Sequence, residues 1–178
     1  MWATPVSAPA GVVVSTVAPV NRKELETMPT VRVEETVDVA RAALFAVMTD
    51  HEGFGRFSGI EKCVLVRAGR DERNGAGALR RVHSGPVVLE EEIIAYDAPS
   101  SYEYRIRRAR PLRMNHTLGR VEFEAVDANR TKVVWTSTFE FPLPILGKAI
   151  GKRAAAQVTR GFRKVIREAA ALAMKQAA

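Results

Sequence analysis

The sequence predicts an α+β domain: a curved, seven-stranded antiparallel sheet wrapped around one long C-terminal helix, with two short helices after the first strand. Three observations predict it. Seven stretches with alternating or β-branched-rich composition lie between residues 31 and 141. Most are separated by short turns, which implies an antiparallel meander. A helical apolar period, free of proline, then runs from residue 145 to the C-terminus. A sheet with one oily face and a helix with one oily side bury both by closing on each other.

The elements follow in order. Residues 31–39 (VRVEETVDV) alternate, with Val31, Val33, Glu35, Val37 and Val39 on one side and Glu35 an intrusion among valines. Asp38 is a candidate cap for a helix over residues 40–49 that carries Leu44, Phe45, Val47 and Met48. Residues 50–57 (DHEGFGRF) read as a second short helix or turn bearing Phe54 and Phe57. Strands are then expected at 60–66, 78–83, 87–96, 101–108, 115–125 and 131–141, broken by turn-forming Gly, Pro, Asp and Asn residues.

The closing helix begins near Pro144, which suits a first turn. At 100° per residue, Val158, Phe162, Val165, Ile166, Ala169, Leu172 and Ala173 share one side, and Arg153, Arg160, Arg163, Lys164 and Arg167 cluster on the other. Gly147 and Gly151 fall on the oily side. Each costs roughly 1 kcal/mol against alanine, so either the helix packs close there or it bends and leaves room beneath.

Composition bounds the function. The chain has 178 residues, 47% of them hydrophobic and 26% charged, which suits a single ordered domain with a full core and excludes wholesale disorder. Cys63 stands alone, so no internal disulfide, disulfide-linked partner or cysteine-rich zinc site is expected. Residues 1–29 are rich in Pro, Ala and Val and read as a flexible arm ahead of a domain over 30–178. Their basic pair, Arg22 and Lys23, follows the apolar stretch instead of preceding it, unlike a secretory signal. A cytoplasmic location is therefore expected. The net charge of +7 is concentrated: residues 145–178 carry +7 and residues 99–120 carry +5.

Several local patterns fit one known architecture. Residues 39–45 (VARAALF) resemble its passage from strand to helix. The aspartate, short helix and aromatic of residues 50–57 stand where that architecture has them. Residues 77–81 (GALRR) resemble a Gly-x-x-Arg strand start, residues 91–99 (EEIIAYDAP) a strand ending in Asp-x-Pro, and residues 133–136 (VVWT) a late tryptophan-bearing strand. Over residues 31–175 the chain thus resembles the START-like superfamily, also grouped as SRPBCC. This helix-grip fold is shared by pollen allergens, lipid-transfer domains and polyketide cyclases. The nearest flavour is the polyketide cyclase/dehydrase and lipid-transport group. The resemblance implies an apolar pocket between the concave sheet and the helix.

Candidate site residues follow from that pocket. Alternation assigns Leu89, Glu91, Ile93 and Ala95 to the concave face and Glu92, Ile94 and Tyr96 to the outside, although the opposite parity also has apolar residues in its favour. An inward Glu91 needs a partner, and Arg80 on the preceding strand is the natural one. The pair reads either as a structural ion pair or as a polar ligand anchor, with Glu91 an alternative general acid. Phe54 and Phe57 are expected to gate the mouth, and Trp135, Val158 and Phe162 to line the pocket. His83 and His116 are candidate bases. His51, His83 and His116 lack metal-ligand spacing, so no metal or other cofactor is expected.

Three functions compete. The leading one is a carrier or sequestering protein for a hydrophobic small molecule such as a lipid, isoprenoid or polyketide. The second is a polyketide cyclase/aromatase- or dehydratase-like enzyme. The third is a ribosome-, RNA- or anionic-membrane-associated module contacting its partner through Arg153, Arg160, Arg163, Lys164 and Arg167.

Overall fold

The computed structural model describes residues 29–143 and 146–177. Residues 1–28 of the arm expected over 1–29, and Pro144, lie outside the described residues. The chain forms β1 (Thr30–Val37), α1 (Arg41–Thr49), a short 3-10 helix (Glu52–Arg56), β2 (Lys62–Arg67), β3 (Leu79–Ser84), β4 (Val87–Asp97), β5 (Ser101–Arg110), β6 (Asn115–Ala125), β7 (Thr131–Glu140) and α2 (Gly147–Ala177). The seven strands make one antiparallel sheet in the order β1-β7-β6-β5-β4-β3-β2. The predicted helix-grip architecture is thus present. The chain crosses from one edge of the sheet to the other between β1 and β2, and α1 and the 3-10 helix occupy that crossing.

The core lies between the concave face of the sheet and the two α-helices. Val31 and Val33 of β1, Val121 and Phe123 of β6, and Val133 and Trp135 of β7 meet Leu44, Phe45 and Met48 of α1 and Val165, Ile166, Ala169 and Ala173 of α2. Burying such side chains stabilises the fold by about 1.5–3 kcal/mol each. Glu35 points to the same side as the valines of β1. Its carboxylate is met by Arg163 Nε at 3.3 Å and Arg167 Nη2 at 3.0 Å, so the intruding charge clasps α2 to the sheet edge. A second clasp joins α2 to the loop after the 3-10 helix. The Ser58 amide donates to Glu168 Oε2 (2.7 Å) and the Ser58 hydroxyl to Oε1 (2.6 Å).

Two local expectations differ from the structure. Asp38 does not cap α1; Ala40 occupies the cap position without a side-chain hydrogen bond. Strand β4 does not keep one parity. A bulge between Ile93 and Ala95 leaves Ile94 unpaired with β5, so Ala95 turns outward and Tyr96 turns in against Phe45. One extra residue in a strand inverts every side chain beyond it. Of the two readings offered for the helix glycines, Gly147 meets close packing, here against the preceding connection: a Cβ there would lie 2.4 Å from the Phe141 carbonyl oxygen, whereas at Gly151 it would make only ordinary contact with Pro29.

Candidate functional site

Register fixes what faces the concave side. Arg80 pairs with Glu91 across β3 and β4, Val82 with Leu89, Glu91 with Ile106 and Ile93 with Tyr104 across β4 and β5. Since side chains alternate along a strand, Arg80, Val82, Leu89, Glu91, Ile93, Tyr104 and Ile106 share the inner face. The Arg80–Glu91 partnership expected from sequence is present. Arg80 Nε and Nη2 each reach Glu91 Oε2 at 2.7 Å, and both side chains are almost fully buried.

The pair belongs to a longer chain of hydrogen bonds. Arg80 Nη1 donates to His51 Nδ1 (3.1 Å), and His51 Nε2–H donates to the Asn74 carbonyl (3.0 Å). An arginine only donates, so the bonds fix His51 as the neutral Nε2–H tautomer. Burial, reinforced by the Arg80 charge, lowers its pKa to about 3. Burial alone would also lower the Arg80 pKa, but the Glu91 carboxylate more than reverses this and keeps the guanidinium charged. Arg80 is sandwiched by aromatic faces, its Cζ lying 4.6 Å from the Phe54 ring centre and 5.8 Å from that of Tyr104. The Tyr102 hydroxyl is buried within electrostatic reach of the pair. It makes no hydrogen bond of ordinary geometry among the described residues, and burial, only partly offset by the nearby Arg80 guanidinium, pushes its pKa up to about 12.

Beside this network runs a second one. Trp135 Nε1–H donates to the Tyr104 hydroxyl (3.0 Å), and Tyr104 stacks on His116 with centroids 5.5 Å apart. His116 Nδ1 accepts the Ile106 amide (3.2 Å), which leaves Nε2–H to donate to Ser137 Oγ (3.2 Å). Burial, with help from Arg105, lowers the His116 pKa to about 4. The Tyr104 ring lies flat over Gly119 of β6, where any Cβ would meet ring carbons at 2.3–2.5 Å.

The sequence-derived candidates therefore divide. Arg80, Glu91, Ile93, Trp135 and His116 come together on the buried floor, and Leu89, Val158 and Phe162 are half-buried along its edge. Phe54 and Phe57 are not at a mouth. Both are buried, packed edge to face at 5.1 Å, with Phe54 under Arg80. His83 alternates with the inward Val82 and so faces the opposite side of the sheet. Of the five basic residues expected on the back of the helix, Arg163 and Arg167 are turned to Glu35. Sequence reasoning missed His51 and Tyr104. For Tyr104 a signal existed, since an isolated glycine inside a strand, here Gly119, marks a close approach. His51 carried none: its partners are 23 and 29 residues away, and one is a loop carbonyl.

The concave space is occupied by side chains, with Phe162 stacked on Trp135 at 3.8 Å. Two surface depressions are open. One is on the outer face of the sheet, beside Arg32, Arg41, Asp97, Ser101, Arg120 and Lys132; the other is along the back of α2. Neither lies between sheet and helix. The open edge of that space is apolar: Leu89, Ile106, Met114, Val158 and Phe162 are only half-buried. Among the described residues no three His, Cys, Asp or Glu side chains gather as metal ligands would, and no helix is long and apolar enough to cross a membrane.

Comparison with known proteins gives a consistent picture. The family model for polyketide cyclase / dehydrase and lipid transport matches residues 28–173. Among solved structures, a protein of Thermus thermophilus superposes with a TM-score of 0.70 at 19% identity, covering 84% of this chain and 100% of its own. The Zhui aromatase/cyclase of Streptomyces sp. R1128 also gives 0.70, at 18% identity, covering 85% and 96%. A START superfamily protein of Mycobacterium smegmatis gives 0.65 at 13% identity, covering 80% and 98%. No curated protein sequence matches significantly. At these identities the structural likeness establishes the fold.

Proposed function

We propose that this chain, which belongs to the polyketide cyclase / dehydrase and lipid transport family, is a cytoplasmic carrier or sequestering protein. It holds a hydrophobic small molecule, such as a lipid, isoprenoid or polyketide, between α2 and the concave sheet. The observation that carries this reading is the Tyr102 hydroxyl, buried without a hydrogen bond of ordinary geometry beside the Arg80–Glu91 pair. An unsatisfied buried polar group costs about 1–3 kcal/mol, and a ligand hydroxyl or carbonyl would relieve it. The half-buried edge of Leu89, Ile106, Val158 and Phe162 supplies the apolar contact. Because Phe162 now covers Trp135, binding requires the ring to swing aside.

The hydrogen bonding supports a carrier over a cyclase- or dehydratase-like enzyme. The basic nitrogens of His51 and His116 both already accept hydrogen bonds. Such groups anchor; a general base needs a free lone pair aimed at substrate. Native mass spectrometry after mild purification is expected to reveal a bound apolar molecule. An environment-sensitive naphthalene probe is expected to bind saturably and to be displaced by it. Tyr102→Phe should weaken a ligand bearing a hydroxyl or carbonyl about three- to tenfold and leave a pure hydrocarbon unaffected. Absence of both a co-purified molecule and saturable probe binding overturns the reading. Turnover of a polyketide substrate that is lost in His116→Gln overturns it in favour of the enzyme.

A further inference from the structure

One end of the molecule differs from the other in what it exposes. The β3–β4 turn, the β5–β6 loop and the β7–α2 connection meet there, as the pairings Val88 with Arg110 and Asn115 with Glu140 require. Of the seven large hydrophobic side chains exposed among the described residues, four stand at this end: Val87, Leu112, Leu143 and Leu146, the last 61% exposed. They project from three separate connections and do not form one flat strip.

The charge around them is predominantly positive, the carboxylates of this end being Glu61 beside the β3–β4 turn and Glu140 at the end of β7. Arg110 and Arg113 flank Leu112, and Lys152 and Arg153 follow Leu146 on the first turns of α2. All four are exposed, and none pairs with a carboxylate among the described residues. No acidic residue occurs between Glu103 and Glu122, or between Glu140 and Glu168. Glu140 itself accepts a hydrogen bond from Asn115.

We infer that this end docks onto an anionic lipid surface, the four apolar tips entering the headgroup boundary and the four cations meeting lipid phosphates. Single apolar tips ringed by unpaired cations suit a soft, negatively charged interface, where buried apolar area and basic charge contribute together. A protein partner would ask for a continuous, shape-matched face. The docking end also adjoins the apolar edge of the cleft, since Met114 lies two residues from Leu112 and Leu89 pairs with Ala109 next to Arg110. An apolar molecule entering beneath α2 would thus leave the bilayer without crossing water. That advantage rests on the function proposed above; the docking does not.

The test is co-sedimentation of the full chain with vesicles of phosphatidylcholine alone, or of phosphatidylcholine and phosphatidylglycerol in equal parts. Binding is expected only to the mixed vesicles, falling as salt rises. Leu112→Glu with Leu146→Glu should abolish it, and Arg110→Gln and Arg113→Gln should each weaken it about fivefold. Val126→Glu and Met174→Glu, at exposed apolar positions elsewhere, should leave it unchanged. All these positions are on the surface, and circular dichroism checks folding. The inference is overturned by equal binding to both vesicles, by binding to neither, or by Leu112→Glu/Leu146→Glu binding as the parent does. It is overturned equally if that double variant changes the oligomeric mass instead, which would make the end a protein interface.

Discussion

Phe162 of α2 lies flat on Trp135 of β7, with ring centroids 3.8 Å apart and planes 7° from parallel. Trp135 is buried and Phe162 half-exposed, so this stack joins the surface of the helix to the core. Phe162→Ala is expected to destabilise the fold by about 2–3 kcal/mol, below the roughly 3–5 kcal/mol of a fully buried phenylalanine because the ring is only half-buried. It should also uncover the indole. Urea denaturation would give the first effect, and a red-shifted tryptophan emission with increased naphthalene-probe binding the second.

The Arg80–Glu91 pair should be costly to break from one side. Glu91→Ala leaves a guanidinium buried without its counter-charge, a situation that destabilises by about 3–5 kcal/mol. The double replacement Arg80→Met with Glu91→Leu removes both charges and should cost less than Glu91→Ala alone. Denaturation midpoints of the three proteins test this order. Its reversal would show that packing of the arginine stem against Phe54 and Tyr104, and not charge pairing, dominates.

Two buried neutral histidines make stability depend on acid. Their folded pKa values, about 3 for His51 and about 4 for His116, lie below the unfolded value near 6.5. Above pH 6.5 both states are neutral and the fold keeps its full stability. As pH falls below 6.5 the unfolded chain takes up protons that the native state refuses. Each histidine then removes about 1.4 kcal/mol per pH unit, until its folded pKa is reached. His116→Gln should flatten the dependence of the urea midpoint on pH between 6.5 and 4, and an unchanged slope would contradict the assignment.

Gly119 is predicted to be intolerant of any side chain. Gly119→Ala drives a methyl into the Tyr104 ring and should cost about 1–3 kcal/mol while loosening the bond from Trp135. Combining it with Tyr104→Leu should be less harmful than the sum of the two single changes, because they share one space. Additive costs in a double-mutant cycle would refute this.

How far the sequence reveals such features depends on their range. Strand β6 begins and ends where alternation places it: from Gly119 onward inner Val121 and Phe123 and outer Arg120 and Glu122 follow the pleat, while a bulge at Thr117 lets His116 face inward as well. The partnership of Arg80 with Glu91 was legible for the same reason: a hairpin brings neighbours in sequence face to face. The swap of Ala95 and Tyr96 was not, since a bulge is a choice between two strands that neither announces alone. The role of Glu35 was half legible. It stood out among valines, but its partners lie more than 120 residues away on a helix whose cations otherwise read as a solvated back. His51 was hidden altogether, because its neighbours are set by the path of a long loop.

The two clasps on α2 have a mechanical consequence. Both Glu35 with Arg163 and Arg167, and Ser58 with Glu168, grip the helix near or beyond its midpoint. Val158 and Ala154, on the half that begins at Gly147, rest on the sheet by apolar contact alone. The helix is therefore moored like a drawbridge, pinned at its far end and held down by grease at the near one. In the function proposed above, room for a guest would come from raising the near end a little, which undoes none of the ion pairs seen among the described residues.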